Sequence, residues 1–293
     1  MPIQSLGARV LRFLLLTIGA LAVSLPLSSQ EIGTVTLLKD SPLHVIRGVS
    51  MLQGAEGMRL HAGDILETGP APTAQAQLEF TGGPIVEVGP SSQLFVSSAT
   101  PASGEMVLLA GWIKGETTAG VYRYSGPLGS ASTKGGNVLL HATSDTADIF
   151  VERGTATVSG GSAPITSAPG KIFFSRKGNK PAAATERPSS EFIGAMPISF
   201  RDSLPPRLSA FAGKKPPAPK PDHDVTYADV EGWLTLPASR RAFAARFRSR
   251  VKDPAFRQAI EAHLGTLPDW VPILHPEKSG PAAAGKPSSP PGD

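Results

Sequence analysis

The sequence predicts a mainly β protein in which many short antiparallel strands precede a small all-helical module. Between residues 32 and 174, short apolar runs recur about every 8 to 12 residues and are broken by glycine, proline, asparagine and serine, as in many-stranded all-β domains. The chain holds 31 glycines and 29 prolines against 6% aromatic residues, which favours turns over long helices. A β-sandwich and a solenoid both fit this pattern.

The N-terminal residues 1–30 have the features of a secretory signal peptide. Arg9 and Arg12 precede the apolar run from Phe13 to Leu25, and small and polar residues follow it. Because this run is shorter than the roughly 18 to 20 residues of a membrane span, we expect cleavage between Ala22 and Gln30 and a periplasmic or secreted protein. The chain has no cysteine, which excludes thiol catalysis, thiolate metal sites and a lipoprotein anchor.

One hairpin can be read directly from the sequence. Ala76, Leu78 and Phe80 fall on one face of a strand, and Gln77 and Glu79 fall on the other, because side chains alternate along it. Gly82 and Gly83 follow and precede the alternating run PIVEV, and glycine takes the positive φ that a tight hairpin loop demands. We therefore predict that both glycines are structural turn residues.

The stretch LHAGDILETG raises the question of whether a carboxylate is chemical or architectural. Asp64 follows Gly63 at the entrance to a predicted strand, and an aspartate in this place can accept a backbone N–H and stabilise the turn. A catalytic or metal-binding aspartate would need a partner, for which His61 is the candidate nearby in sequence. The spacing favours a structural turn at Gly63 and Asp64.

The chain divides into a β domain, a linker and a helical module. We expect the β domain over 33–175, a Pro/Lys-rich linker with a partly docked segment over 176–224, a basic helical module over 225–275 and a disordered tail over 276–293. Within the module, Thr226 and Asp229 predict a capping box, Ser239 a second cap, and Asp253 followed by Pro254 a third helix start.

The predicted second helix of the module carries a basic face. Projected at 100° per residue, Arg241, Arg248 and Lys252 lie opposite the apolar stripe of Phe243, Phe247 and Val251. Two interpretations stay open, a solvated face on a packed helix and a patch that binds an anionic partner such as lipid headgroups, a glycan or an acidic protein.

Aromatic residues suggest a second candidate surface. Trp112, Tyr122 and Tyr124 belong to predicted strands and can line a carbohydrate-binding face, although such residues more often fill a β core. Other chemistry finds little support, because no serine stands in a Gly-x-Ser-x-Gly context and the histidines are scattered. The densest group of metal-ligand residues, at 222–224, lies in the predicted linker. We expect no catalytic residue, no metal and no cofactor.

Several of these motifs together resemble the FecR domain family. The stretches are LHAGDILETG, AQLEFTGGPIVEVGPSSQLFV, LLAGWIKG and NVLLHATSDTADIFVERGTATVSG, and they cover roughly residues 33 to 160. The resemblance implies an all-β interaction domain of the periplasm. The family's sigma-factor regulators carry a cytoplasmic sigma-binding segment and a transmembrane helix before this domain, whereas a signal peptide is predicted here. Sigma-factor regulation is therefore not part of the implication.

We expect a non-catalytic FecR-domain protein that acts as a periplasmic interaction or sensing module. The second hypothesis is a cell-envelope structural protein that binds peptidoglycan or another surface glycan. The expected partner is an envelope protein or an anionic surface polymer, and not nucleic acid, because the protein is predicted to be exported. Peripheral contact with a membrane surface and the oligomeric state are left open.

Overall fold

The structure is a computed structural model that describes residues 30–160, 164–167 and 172–276. The predicted signal peptide and tail therefore lie outside the described residues, apart from one residue of each. The described part is mainly antiparallel sheet followed by short helices, which confirms the predicted fold class. Within that part, no helix has the length and apolar character that a bilayer crossing requires.

Fifteen strands in the described residues join one sheet, and each strand pairing is antiparallel. The strands are β1 (Glu31–Lys39), β2 (Leu43–Arg47), β3 (Ser50–Gln53), β4 (Arg59–His61), β5 (Ile65–Thr68), β6 (Gln75–Phe80), β7 (Ile85–Val88), β8 (Gln93–Ala99), β9 (Ser103–Ser125), β10 (Ser130–Ala142), β11 (Thr146–Ser159), β12 (Ile165–Ser167), β13 (Ile172–Lys177), β14 (Ala183–Thr185) and β15 (Lys220–Asp224).

Strand β9 is the branch point of the sheet. One edge pairs with β10, while the other pairs first with β8 through residues 104–110 and then with β7 through residues 113–116. The change of partner occurs at Gly111, whose φ of 90° is accessible to glycine, and a Cβ there would lie 2.3 Å from Ser92 Oγ. The two branches curl around a core built from alternating side chains, including Leu78 and Val86 of the predicted hairpin.

The helices are short and all begin after strand β14. Asp253 caps one of them by accepting from the N–H groups of Ala255 and Phe256, as predicted, and Asp229 accepts from Thr226 N. Ser239 occupies an N-cap position but its side chain makes no capping bond. The helices are α1 (Ser190–Ala195), α2 (Tyr227–Thr235), α3 (Arg240–Phe247), α4 (Pro254–Ala262) and α5 (Val271–Leu274), with 3-10 turns at Ile198–Arg201, Leu208–Phe211, Arg248–Lys252 and Pro268–Trp270.

Helices α2 to α5 pack directly on the sheet. Ile46 and Ile65 of the sheet share a buried cluster with Trp233 and Phe247 of the helices, and the ring centroids of Phe95 and Trp233 are 6.1 Å apart. The predicted linker also contributes structure, because β15 pairs with β3 and extends the sheet. The helical module is thus continuous with the β domain.

Candidate functional site

Asp64 holds the turn between β4 and β5. Its side chain is 1% exposed, and Gly63 before it has a φ of 89°. Oδ2 accepts from His61 N at 2.9 Å, and Arg47 donates to both carboxylate oxygens, at 2.9 Å to Oδ1 and 2.7 Å to Oδ2. Both oxygens of Asp64 are therefore engaged by groups that shape the backbone.

Arg246 of α3 reaches the same turn from the helical module. Its guanidinium donates to the carbonyls of Ile46 at 3.0 Å, Gly48 at 3.0 Å and Gly63 at 2.7 Å. Burial lowers the pKa of Arg246 to about 10, and the nearby charge of Asp64 opposes that effect. The Gly63–Asp64 turn is consequently a docking point for the helices, a role that no local sequence pattern indicated.

Glu67 of β5 lies at the same interface, facing α2. Burial raises the pKa of Glu67 to about 7, and the negative charge of Asp229 on α2 adds to the shift. Its side chain accepts a hydrogen bond from Gln93 Nε2 at 3.3 Å. The interface between sheet and helices therefore contains one carboxyl group whose ionisation opposes the packed arrangement.

The predicted basic face is only partly assembled. Arg241 and Arg248 line the same depression of about 370 Å³, where Asp269 lies 3.7 Å from Arg241 Nε. Lys252 does not line it. Helix α3 ends at Phe247 and a 3-10 turn follows, so the projection at 100° per residue is wrong beyond that point, because a 3-10 turn advances about 120° per residue.

The aromatic face is corrected for two of its three residues. Tyr122 and Tyr124 are 0% and 1% exposed and belong to the main core, so neither offers a ring face to a sugar. Trp112 is 8% exposed and stacks on His141 with ring centroids 4.1 Å apart. All three residues lie on β9: Tyr122 and Tyr124 occupy the enclosed side of the curled sheet, whereas Trp112 is buried in a separate apolar cluster on its outer face.

The two hairpin glycines both lie in the turn between β6 and β7. Gly82 has a φ of 64°, as a tight turn requires. Gly83 allows a close approach instead, because a Cβ there would lie 2.8 Å from Tyr122 Oη.

The carboxylates around His223 are engaged with that residue. His223 on β15 lies 3.2 Å from Asp222 and 3.1 Å from Asp229, and the hydrogen bond to Asp229 raises its pKa. Across the described ranges, no group of three or more histidine, aspartate or glutamate side chains is arranged to hold a metal ion.

Residues 190–208, which we call the strap, cover the outer face of β9, β10 and β11. Phe192, Met196 and Phe200 of the strap are buried in a small apolar cluster with Trp112 and Phe150 of the sheet. The ring centroids of Trp112 and Phe192 are 5.2 Å apart. The strap is thus a packed part of the fold, in a region where the sequence predicted only partial docking.

Lys114 fixes the middle of the strap. Its side chain is 1% exposed, and its ammonium group donates to the backbone carbonyls of Phe200 at 2.9 Å and Asp202 at 2.5 Å. Glu116 lies 3.2 Å from the same nitrogen and balances its charge. Because an unpaired buried charge is costly, this lysine and the strap backbone depend on each other.

Glu79 and Gln77 fix the end of the strap. Glu79 accepts from the backbone N–H groups of Arg207 at 2.6 Å and Leu208 at 2.9 Å, and Gln77 donates to Pro205 O at 2.8 Å. The sequence pattern places both side chains on the polar face of β6. That face is covered by the strap, and both residues are almost fully buried.

The outer side of the strap is apolar at two exposed positions. Ile198 is 76% exposed and Ile193 is 38% exposed. Ile193 also borders a groove of about 750 Å³ between the strap and the sheet, which has Leu139 in its lining. This region combines exposed apolar side chains with a concave surface.

Comparison with known proteins gives a distant structural likeness. No family model matches the chain, and no curated protein matches it. Two crystal structures of a "putative anti-sigma factor" from Parabacteroides distasonis ATCC 8503 are similar to it, each with a TM-score of 0.36 and 9% sequence identity. The match covers 42% of this chain and 60% of that protein in one structure, and 41% and 59% in the other. This chain therefore spans about three fifths of the protein that it resembles.

Replacing Asp64 by asparagine tests its structural role. The variant keeps the shape of the side chain but removes the charge that Arg47 contacts, so we expect the free energy of unfolding to fall by about 2 to 4 kcal/mol. Asp40→Asn is the matched control, since Asp40 is exposed and its distance to Lys39 Nζ is 4.0 Å. Urea unfolding of both variants measures the difference. Equal stabilities of the two variants would contradict the structural role.

Glu67→Gln tests the pH dependence of helix docking. With a pKa of about 7 in the folded state against 4.5 in the unfolded state, the folded protein binds more protons between these values, so stability falls as pH rises through this window. Because glutamine does not titrate, we expect the stability of the variant to decrease by about 2 kcal/mol less than that of the parent over this pH window. Unfolding midpoints at both ends of the window measure it, with exposed Glu105→Gln as control. An unchanged pH profile in Glu67→Gln would refute the assignment.

Proposed function

We propose that this chain is a non-catalytic interaction or sensing module of the FecR type that acts outside the cytoplasm. The observation that carries the proposal is the strap, which presents Ile193 and Ile198 to solvent on a backbone fixed from beneath. Exposed apolar side chains grouped beside a groove are typical of surfaces that contact other molecules. The resemblance of residues 33 to 160 to the FecR family and the predicted signal peptide support the class and the compartment.

A fixed strap favours binding over rearrangement. Phe192 and Phe200 are buried on the inner side, and Lys114 holds the backbone at Phe200 and Asp202, so the strap is fixed on both sides of Ile198. A surface that is already ordered loses less conformational entropy when a partner binds. The strap therefore offers a preformed contact for an envelope protein.

The strap is also a better contact surface than a strand edge. β15 forms one edge of the sheet, where Pro221 and charged residues accompany a register shift. Prolines, charges and bulges are the features by which natural sheets prevent an edge from pairing with another chain. We therefore place the partner on the strap.

The buried polar groups support a non-catalytic role. Asp64, Glu79 and Lys114 are each engaged by backbone groups or by an opposite charge. Their positions are explained by the turn and the strap that they hold.

A photo-crosslinking residue at position 198 tests the proposal in envelopes of the natural host. We expect one dominant protein adduct, because Ile198 is the most exposed apolar residue of the strap. The matched control is a crosslinker at Val121, a 48% exposed apolar residue on β9. The same adducts from both positions would contradict a specific contact, and so would an adduct that survives the Ile193→Ser change.

The second candidate function is binding to peptidoglycan or another anionic glycan. The observation that favours it is the depression lined by Arg241 and Arg248, where Asp269 balances only part of the positive charge. Guanidinium groups bind carboxylates in a bidentate manner, and anionic wall polymers carry carboxylates.

Sedimentation with purified peptidoglycan tests this candidate. We expect the Arg241→Ala/Arg248→Ala variant to reduce the retained fraction severalfold, and added salt to do the same, because exposed charges are screened. Arg123→Ala/Arg257→Ala removes the same charge from two other exposed positions and is the control. Equal retention of the two double variants would exclude the depression as the glycan site.

A further inference from the structure

The groove between the strap and strands β10 and β11 has the size of a ligand site. Its volume is about 750 Å³, and sites for small organic ligands usually span about 300 to 1,000 Å³. Leu139 and Phe150 of the sheet and Met196 and Phe200 of the strap form its buried apolar lining. A hydrocarbon group that enters the groove would replace water along this lining.

The charged side chains that line the groove carry more positive than negative charge. Arg187 and Arg201 both line it and are exposed, and within the described part of the chain neither side chain forms an ion pair or hydrogen bond. The one carboxylate in the lining, Glu152, accepts from Asn137 Nδ2 at 3.4 Å and lies 3.9 Å from Lys114 Nζ. Lys114 is shared with Glu116, which lies 3.2 Å from the same nitrogen, so Glu152 is balanced only in part. The groove therefore offers two free guanidinium groups against one partly balanced carboxylate.

We propose that this groove binds a single-chain anionic amphiphile, whose hydrocarbon chain packs on the apolar lining and whose carboxylate or phosphate pairs with Arg187 and Arg201. The proposal rests on the proposed sensing function and names the chemistry that is sensed. Planar guanidinium groups bind both kinds of head group in a bidentate manner. Fatty acid anions and monoacyl phosphates share this chemistry.

The apolar lining favours an amphiphile over a peptide. A peptide that crossed the groove would place backbone N–H and C=O groups against Leu139 and Phe150, where they would lose water without gaining partners. An amphiphile has one polar end, which matches the two free arginines.

Occupation of the groove would also act on the strap. Met196 and Phe200 lie on the strap, so a ligand that contacts them binds only while the strap is docked. By binding linkage, such a ligand stabilises the docked strap against opening. The groove is bordered by Ile193, so ligand binding and the proposed partner surface share one element.

Isothermal titration of the purified full chain tests the proposal with a series of ligands that share one alkyl chain. The probes are dodecanoate, dodecyl phosphate, dodecanol and dodecyltrimethylammonium, each below its micelle concentration. We expect both anions to bind at least tenfold more tightly than the alcohol, since charge-assisted hydrogen bonds add to the apolar contact. The relative affinity of dodecanoate and dodecyl phosphate distinguishes the two sources. Equal affinities for anion and cation, or no binding of any probe, would overturn the proposal.

Variants assign the binding to the groove. Arg187→Ala/Arg201→Ala should weaken dodecanoate binding about tenfold or more and leave dodecanol unchanged. Arg123→Ala/Arg257→Ala carries the same charge change elsewhere and should bind as the parent does; equal losses in both variants would overturn the site. Circular dichroism verifies that the variants are folded, and the comparison of the four ligands on the parent protein does not depend on any variant.

The two proposals can fail separately. If no amphiphile binds but the crosslink at position 198 still forms, the ligand proposal alone is refuted. If an amphiphile binds but the crosslink does not form, the partner contact alone is refuted.

Discussion

The buried ammonium group of Lys114 is the constraint on which the outer face of the sheet depends. A lysine that is 1% exposed in a β sheet requires oxygen partners, and two of them are carbonyls of the strap. This requirement positions Phe200, whose ring completes the apolar cluster, and with it the floor of the groove. The strap is ordered because its carbonyl groups bind the buried ammonium group of the sheet beneath it.

The helical module depends on a second set of charged groups, one of which stabilises its docking while another opposes it. Arg246 satisfies three carbonyls around the Gly63–Asp64 turn and so ties α3 to the sheet. Glu67 lies at the same interface, where burial disfavours its ionised form and raises its pKa to about 7. Helix docking thus combines a strong anchor with one group that weakens it as pH rises.

The local features of the chain could be predicted from its sequence, whereas its long-range contacts could not. The hairpin at Gly82, the cap at Asp253 and the turn position of Asp64 each follow from residue types within a few positions. The side-chain alternation that placed Gln77 and Glu79 on a polar face is also present. A periodic pattern indicates which face a residue occupies, but not which later segment covers that face.

The sites show the same division. Arg241 and Arg248 do come together, but Lys252 does not join them. It lies at the end of a 3-10 turn, and no residue type in the sequence marks the change from α-helix to that turn. The roles of Lys114 and Arg246 depend on partners that lie far away along the chain, and β15 is rich in proline and charge, so it carries no strand signature. The roles of these two residues and the pairing of β15 can be recognised only in the folded structure.

The branch in β9 has a mechanical consequence. On one side of Gly111, Leu109 packs with the helical module; on the other, Trp112 and Lys114 hold the strap. The two outer surfaces of the protein are therefore fastened to consecutive stretches of a single polypeptide ribbon. A load applied to either surface reaches the other through a few peptide units, without passing through any flexible connector.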